Sequence, residues 1–333
     1  MDRGREIDGP VLIAGAGALG LVIGGMLKAA GHRVTLLGRP RHLDAIARGG
    51  LVIEGLFGRR EVGGLDCMRD PQEPGGRRFG LIVVTVKSYD TAALVPRLTG
   101  LLAPGGVAVC MQNGLGNLEI AAAHLGAENV LGARVIFGAE IEQPARVRVT
   151  VIAEPVAIGP DPGVSGSAAP ALAERAGQIA AALRGAGVPA EATPDIRPFL
   201  WTKLFYNAAL NPLGALLKLN YGGIGADPEL RRIMDAIVEE AFAVARHAGI
   251  PMPYPTAADY LAVFYSRLLP ATRGHRPSML ADLEQRGRTE IGALNGRIVE
   301  MAAAAGLAAP VNRMISALVR ARERNWQPAR EEG

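Results

Sequence analysis

The chain has 333 residues, about twice the common domain size, which predicts two domains. Hydrophobic residues make up 49% and charged residues 20%, the balance of a globular chain with a core, which excludes a disordered one. The 43 glycines follow no three-residue period, which excludes collagen, and the net charge of +4 is spread so evenly that it fits anionic small molecules as well as nucleic acid, so no nucleic-acid partner is expected.

In chain order, residues 10–40 read as one β-α-β unit. Val11–Ala14 is a short apolar run between Pro10 and Gly15, the pattern of a buried parallel strand. Leu19–Ala30 has helical spacing and stops at Gly31, and Val34–Leu37 is a second strand stopped by Gly38. Val11–Leu27 is also apolar enough to suggest a membrane span, and it holds the small pair Gly20 and Gly24. Five glycines interrupt it and no basic leader precedes it. Strand, turn and helix is the expected reading, with no membrane association.

The alternation continues. Leu81–Val86 is β-branched and strand-like, a helical segment runs to Leu101, and Val107–Cys110 is the next strand, ending at Gln112-Asn113-Gly114. A helix around Leu118–Leu125, the apolar stretch Val130–Ile136 and the alternating Val147–Ile158 follow. This order predicts an α/β Rossmann domain, a doubly wound and mainly parallel sheet with right-handed crossovers. After the loop Gly159–Pro170, a helix to Arg184 and Val188–Ala192, strand-like runs stop. Helical patterns take over at 195–217, 227–248, 256–269, 278–305 and 310–325. The domains are therefore expected at 1–192 and 193–333, the second all-α.

Cys67 and Cys110 lie far apart with no CxxC, and the five histidines form no HxxxH or HExxH pattern. No metal site and no disulfide scaffold are expected, and a reducing cytoplasm is the expected compartment.

Gly15-Ala16-Gly17-Ala18-Leu19-Gly20 is a GxGxxG placed between a strand and a helix. The first glycine permits the tight turn, the second lets backbone approach a pyrophosphate, and the third lets helix and strand pack closely. The helix N-terminus offers N–H groups to the phosphates. An NAD-selective site has Asp or Glu at the end of the second strand, where this chain has Gly38-Arg39-Pro40-Arg41. A guanidinium there suits a 2′-phosphate, so NADPH/NADP+ is the expected cofactor, unless Arg39 and Arg41 simply point into water. Lys87 and Asn113 follow two further strands, at the sheet end where such folds bind ligands.

Trp201–Pro212 holds Lys203, Asn207 and Asn211 at successive turns of one helical face, amid Trp, Leu, Phe, Tyr and Ala. Buried there, they need partners. One reading is a donor cluster at the mouth of the cofactor crevice. The other is a surface lysine with two capping amides ahead of a break at Pro212. Leu280, Leu283, Gly287, Ile291, Leu294, Ile298 and Met301 make one apolar stripe at helical spacing. Glu290 falls about 60° from its centre, on the flank. There it meets a cation across a helix pair, or it forms a surface ion pair with Arg286 or Arg297. Ser278 is the natural N-cap of that helix.

Taken together, these residues resemble the ketopantoate reductases (2-dehydropantoate 2-reductases) of vitamin B5 biosynthesis. The resemblance rests on Gly15–Gly20, Gly38-Arg39, Val86-Lys87, Gln112–Gly116, Trp201–Leu204 with Asn207 and Asn211–Leu213, Pro277–Leu280 with Asp282, and Arg288–Ile291 with Asn295-Gly296. It runs in order along nearly the whole chain. It implies an N-terminal Rossmann domain, a helical C-terminal domain and an active site in the cleft between them. It also implies hydride transfer from NADPH to the 2-keto carbon of ketopantoate, giving (R)-pantoate. By position, Lys203 matches the catalytic lysine that protonates the developing alkoxide, and Glu290 the carboxylate that orients it. Asn207, Asn211 and Ser278 match substrate-binding positions, and Lys87 and Asn113 the polar pair on the cofactor side.

The chemistry asks for these groups independently, because hydride arriving at a ketone carbon puts negative charge on its oxygen. Two departures border the substrate positions. Gly214 stands where many relatives have Thr, and Asn220 is displaced by one, with Tyr221 in its place. The alternatives are a related reductase of another branched 2-keto acid and a non-catalytic NADP(H)-binding regulator, which would need neither Lys203 nor Glu290. A homodimer is the assembly considered.

Overall fold

The computed structural model describes residues 7–73 and 76–325. Its strands are β1 (Val11–Ala14), β2 (Val34–Leu37), β3 (Leu51–Gly55), β4 (Arg60–Val62), β5 (Asp66–Met68) and β6 (Phe79–Val84). They continue with β7 (Leu102–Cys110), β8 (Val130–Arg134), β9 (Phe137–Gln143), β10 (Arg146–Ile152), β11 (Val156–Gly159) and β12 (Ala190–Ala192). The chain divides into two compact units. One runs to Gln112 and from Asn117 to Ile196; the other is Asn113–Gly116 together with everything from Arg197 on.

The first unit is built on an eight-stranded sheet in the order β12-β11-β8-β7-β6-β1-β2-β5. It is parallel except where β11 meets β8. β1 and β6 are buried along their whole length, as unbroken apolar runs in a parallel sheet require. The strand order reverses at β1, which pairs with β2 on one side and β6 on the other. Open α/β sheets bind ligands at the carboxyl ends of strands flanking such a switch point.

A second, four-stranded sheet, β4-β3-β10-β9, was not expected from the sequence. The alternating stretch Val147–Ile158 is not one strand. β10 has one buried face and enters the small sheet, while β11 is buried throughout and enters the large one. The helix Ala18–Ala29 touches both sheets: a Cβ at Gly24 would lie 2.9 Å from Ile13 and Leu36, and one at Gly25 2.6 Å from Ile53. Both members of the small pair that suggested a membrane span thus face the large sheet, a Cβ at Gly20 lying 3.0 Å from Ile13, and no described helix is long and apolar enough to cross a membrane. The segment before Leu101 is likewise not one helix; it is a short turn of α-helix followed by 3-10 helix.

The second unit is helical, around Arg197–Leu217, Tyr221–Ala226, Pro228–His247, Ala257–Val263, Ser278–Arg286, Asn295–Ala304 and Pro310–Arg324. The helix expected at 195–217 is found, and Pro212 lies inside it without breaking it, against the alternative of a break there. One expectation fails. The pattern 278–305 is two helices, parted at Gly287, which caps the first in the left-handed conformation at φ 65°. Leu280, Leu283, Ile291, Leu294 and Ile298 are all buried, so the stripe marks the core face correctly without being one helix.

Candidate active site

In the first unit the turn after β1 has the geometry of a phosphate cradle. Gly15 sits at φ +132°, and a Cβ there would lie 2.6 Å from Val86 N. Thr85 Oγ1 donates to Gly15 O at 2.7 Å, tying the end of β6 to the turn. A Cβ at Gly20 would lie 2.0 Å from Gly15 O, so only glycine lets the helix start this close. Gly17, by contrast, faces open space, with nothing within 4 Å of a Cβ built on it. The first turn of Ala18–Ala29 has neither a side-chain cap nor an acidic residue, which suits an anion at its N–H groups. These residues fit the pyrophosphate of a dinucleotide. Beyond β2, Gly38 leaves room for the Ala16 side chain, and Arg39 is exposed ahead of the helix Pro40–Gly49. Lys87 is half-buried just past β6.

In the second unit, Lys203, Asn207 and Asn211 lie on one face of Arg197–Leu217. Lys203 is half-buried, and both asparagines are buried in mid-helix, which overturns the alternative of capping amides ahead of a break. Glu290 lies on no helix flank. It is in the turn between Arg286 and Asn295, buried at 7% exposure and so off the surface. Arg297 pairs with Glu300 at 2.8 Å, and the side chain of Arg286 lies outside the described residues.

The turn is held from two sides. Thr289 is clamped by Glu323 Oε1, which accepts from both its N–H and its hydroxyl at 2.7 Å. Leu115 N–H donates to Ala293 O at 3.0 Å, while Gly114, at φ +81°, leaves no room for a Cβ beside that carbonyl. This docking brings Asn113 Nδ2 to 3.5 Å from Glu290 Oε2, at the long limit of a hydrogen bond. Ser278 is exposed at the first residue of its helix. The N-cap is Pro277, so the capping role expected of Ser278 is not the one it has.

Residues 11–163 match the family described as Ketopantoate reductase PanE/ApbA, and residues 195–323 its C-terminal counterpart. The chain belongs to the ketopantoate reductase family. The 2-dehydropantoate 2-reductase of Aquifex aeolicus is 34% identical over 314 residues, covering 94% of this chain and 96% of that protein. Its counterpart from Pyrococcus horikoshii is 32% identical over 318 residues, covering 94% and 97%. The crystal structure of a PanE/ApbA family ketopantoate reductase from Ralstonia eutropha matches with a TM-score of 0.81 at 33% identity, covering 96% of this chain and 99% of that one.

Against the ketopantoate reductase pattern, both departures now have a physical reason. A Cβ at Gly214 would lie 2.3 Å from Pro277 Cγ and 2.9 Å from Leu219 O, so threonine does not fit. Asn220 caps the helix Tyr221–Ala226, accepting from Gly223 N–H at 2.8 Å. Tyr221 is buried and donates its hydroxyl to Asn211 Oδ1 at 3.0 Å. Burial raises the Tyr221 phenol well above its ordinary range, so it stays a donor. Sequence reasoning missed this pairing, and it missed Asn312; Asn295 entered only as part of the resemblance, with no role, and both are fully buried in the same unit.

Proposed function

We propose that this chain is an NADPH-dependent 2-dehydropantoate 2-reductase, reducing the 2-keto carbon of ketopantoate to give (R)-pantoate. The observation that carries the reading is the polar face of Lys203, Asn207 and Asn211 on a helix otherwise committed to the core, in a chain whose two halves both match the family. Residues 1–192 are its NADP-binding part and 193–333 its substrate and catalytic part, with Asn113–Gly116 grouped with the second.

Bound NADPH supplies the hydride. Gly15, Ala16, Gly17, Ala18, Leu19 and Gly20 would hold its pyrophosphate, and Arg39 would take the 2′-phosphate. Lys87 and Asn113 complete the cofactor side. The Lys203 ammonium donates a proton to the oxygen on which charge develops, while Glu290 orients that lysine and the substrate. Asn207, Asn211 and Ser278 bind the 2-keto acid.

The test is a panel of branched 2-keto acids followed by NADPH absorbance. The kcat/KM for ketopantoate should exceed that for 2-ketoisovalerate, which lacks the hydroxymethyl group, by on the order of 10²-fold. One observation favours a second reading, a reductase for another branched 2-keto acid: Asn211 Oδ1 already accepts from Tyr221, which leaves one acceptor fewer for a substrate hydroxyl. If 2-ketoisovalerate or a bulkier acid wins, the reductase chemistry stands and the substrate assignment falls.

A further inference from the structure

Pro212 lies inside the helix that carries Lys203. Without an N–H it cannot donate to the Ala208 carbonyl four residues earlier, and a buried carbonyl needs a donor. Asn295 supplies it: Nδ2 donates to Ala208 O at 3.1 Å. The same nitrogen donates to Asn312 Oδ1 at 3.0 Å. Asn312 Nδ2 in turn donates to Ile237 O at 3.1 Å and Glu240 Oε2 at 2.7 Å. A carbonyl and a carboxylate only accept, so Asn312 has one orientation, and its Oδ1 fixes that of Asn295. Glu240 also accepts from Val311 N–H at 2.8 Å and Asn312 N–H at 2.9 Å, in the first turn of Pro310–Arg324.

Asn295 Oδ1 has no partner among the described residues, although Asn295 is fully buried. An unmatched buried acceptor is destabilising, so the side chain is kept for its donor half. Asn295 directly follows the turn of Glu290, whose carbonyl accepts from Ala293 N–H at 3.0 Å and Leu294 N–H at 3.2 Å. Ala208, at the other end of the bond, directly follows Asn207.

We propose that Asn295 is a positioning residue: its amide ties the carbonyl that Pro212 frees in the Lys203 helix to the turn that carries Glu290, and so fixes those two side chains relative to each other. This rests on the reading of Lys203 and Glu290 as the catalytic pair. Asn295→Ala should lower kcat roughly 10-fold or more, with KM for NADPH and keto acid within about twofold. It should also lower Tm. Pro212→Ala gives the helix its own donor for the Ala208 carbonyl. In the double variant Asn295→Ala/Pro212→Ala, Tm should therefore recover while kcat stays low, because the tether is still missing. A double variant that regains kcat together with Tm overturns the positioning role, and so does wild-type kcat in Asn295→Ala. A double variant with Tm no higher than Asn295→Ala overturns the capping of Ala208. If Asn295→Ala does not fold, the kcat of the double variant alone decides, low turnover supporting the role and wild-type turnover overturning it. Lys203→Ala, assayed beside these, separates the two readings. Full turnover there sinks the catalytic pair and the role built on it. Low turnover there with wild-type turnover in Asn295→Ala sinks this proposal alone.

Discussion

The phosphate turn after β1 is shaped by atoms that are missing. Gly15 and Gly20 are each barred from carrying a Cβ by a neighbour within 3 Å, and Gly17 leaves space open for a ligand. The polar face of Arg197–Leu217 is shaped by atoms that are present, amides and a lysine whose settings come from distant segments: Tyr221 on Asn211, and Asn295 on the Ala208 carbonyl. A site made of backbone is specified within a few residues of chain. A site made of side chains is specified by whatever the fold brings against them, and substitutions in the two should therefore fail differently.

The largest effect is expected in the second site. Lys203→Ala should lose on the order of 10²-fold or more in kcat, with NADPH affinity, read by fluorescence titration, little changed. Wild-type kcat would break the assignment. The first site should divide between stability and binding. Gly20→Ala places a Cβ 2.0 Å from Gly15 O and should destabilise by roughly 3 kcal/mol in denaturant unfolding, as overpacking does. Gly17→Ala should keep its Tm and lose NADPH affinity. Equal unfolding midpoints for the two variants would contradict the division. A smaller shift is expected from Arg39→Asp, which should cut the preference for NADPH over NADH by about 10-fold by removing the 2′-phosphate partner. Equal use of both cofactors by the unaltered protein would contradict the role at once. The smallest effect belongs to Tyr221→Phe. Leaving Asn211 Oδ1 without its donor should cost about 1 kcal/mol of stability and alter the KM for the keto acid more than that for NADPH. An unchanged KM ratio would make Tyr221 a packing residue only.

The same contrast sets how much the sequence discloses. The β-α-β unit could be read directly because Val11–Ala14, Gly15–Gly20 and Val34–Leu37 each carry their own local requirement. The small sheet is not legible because β3 and β4 are short, and β10, which joins β3 to β9, lies far along the chain. Glu290 stands out in the sequence for a reason the fold does not share: the apolar stripe beside it reads as one helix through Gly287, whose left-handed backbone ends the helix. The stripe survived as a burial pattern because the turn that follows still faces the core. Pro212 supports an alternative reading, a helix break, that the fold does not follow. A proline breaks a helix when nothing else serves the carbonyl it abandons, and Asn295, 87 positions along the chain from Ala208, serves it here. The usable signal was the conjunction of a proline inside an unbroken apolar pattern and an asparagine in a core stripe.

The excursion of Asn113–Gly116 into the helical unit has a consequence in time. These four residues leave the ribosome early, directly after β7, yet Leu115 N–H ends on the carbonyl of Ala293. Domains fold as they emerge, N-terminal first, and contacts this far apart in sequence form late. The first unit can therefore complete its sheet while this short loop waits for nearly all of the remaining chain. The loop's closure is thus a late event of folding, and a chain halted at Ile196 would carry it with nothing to close upon.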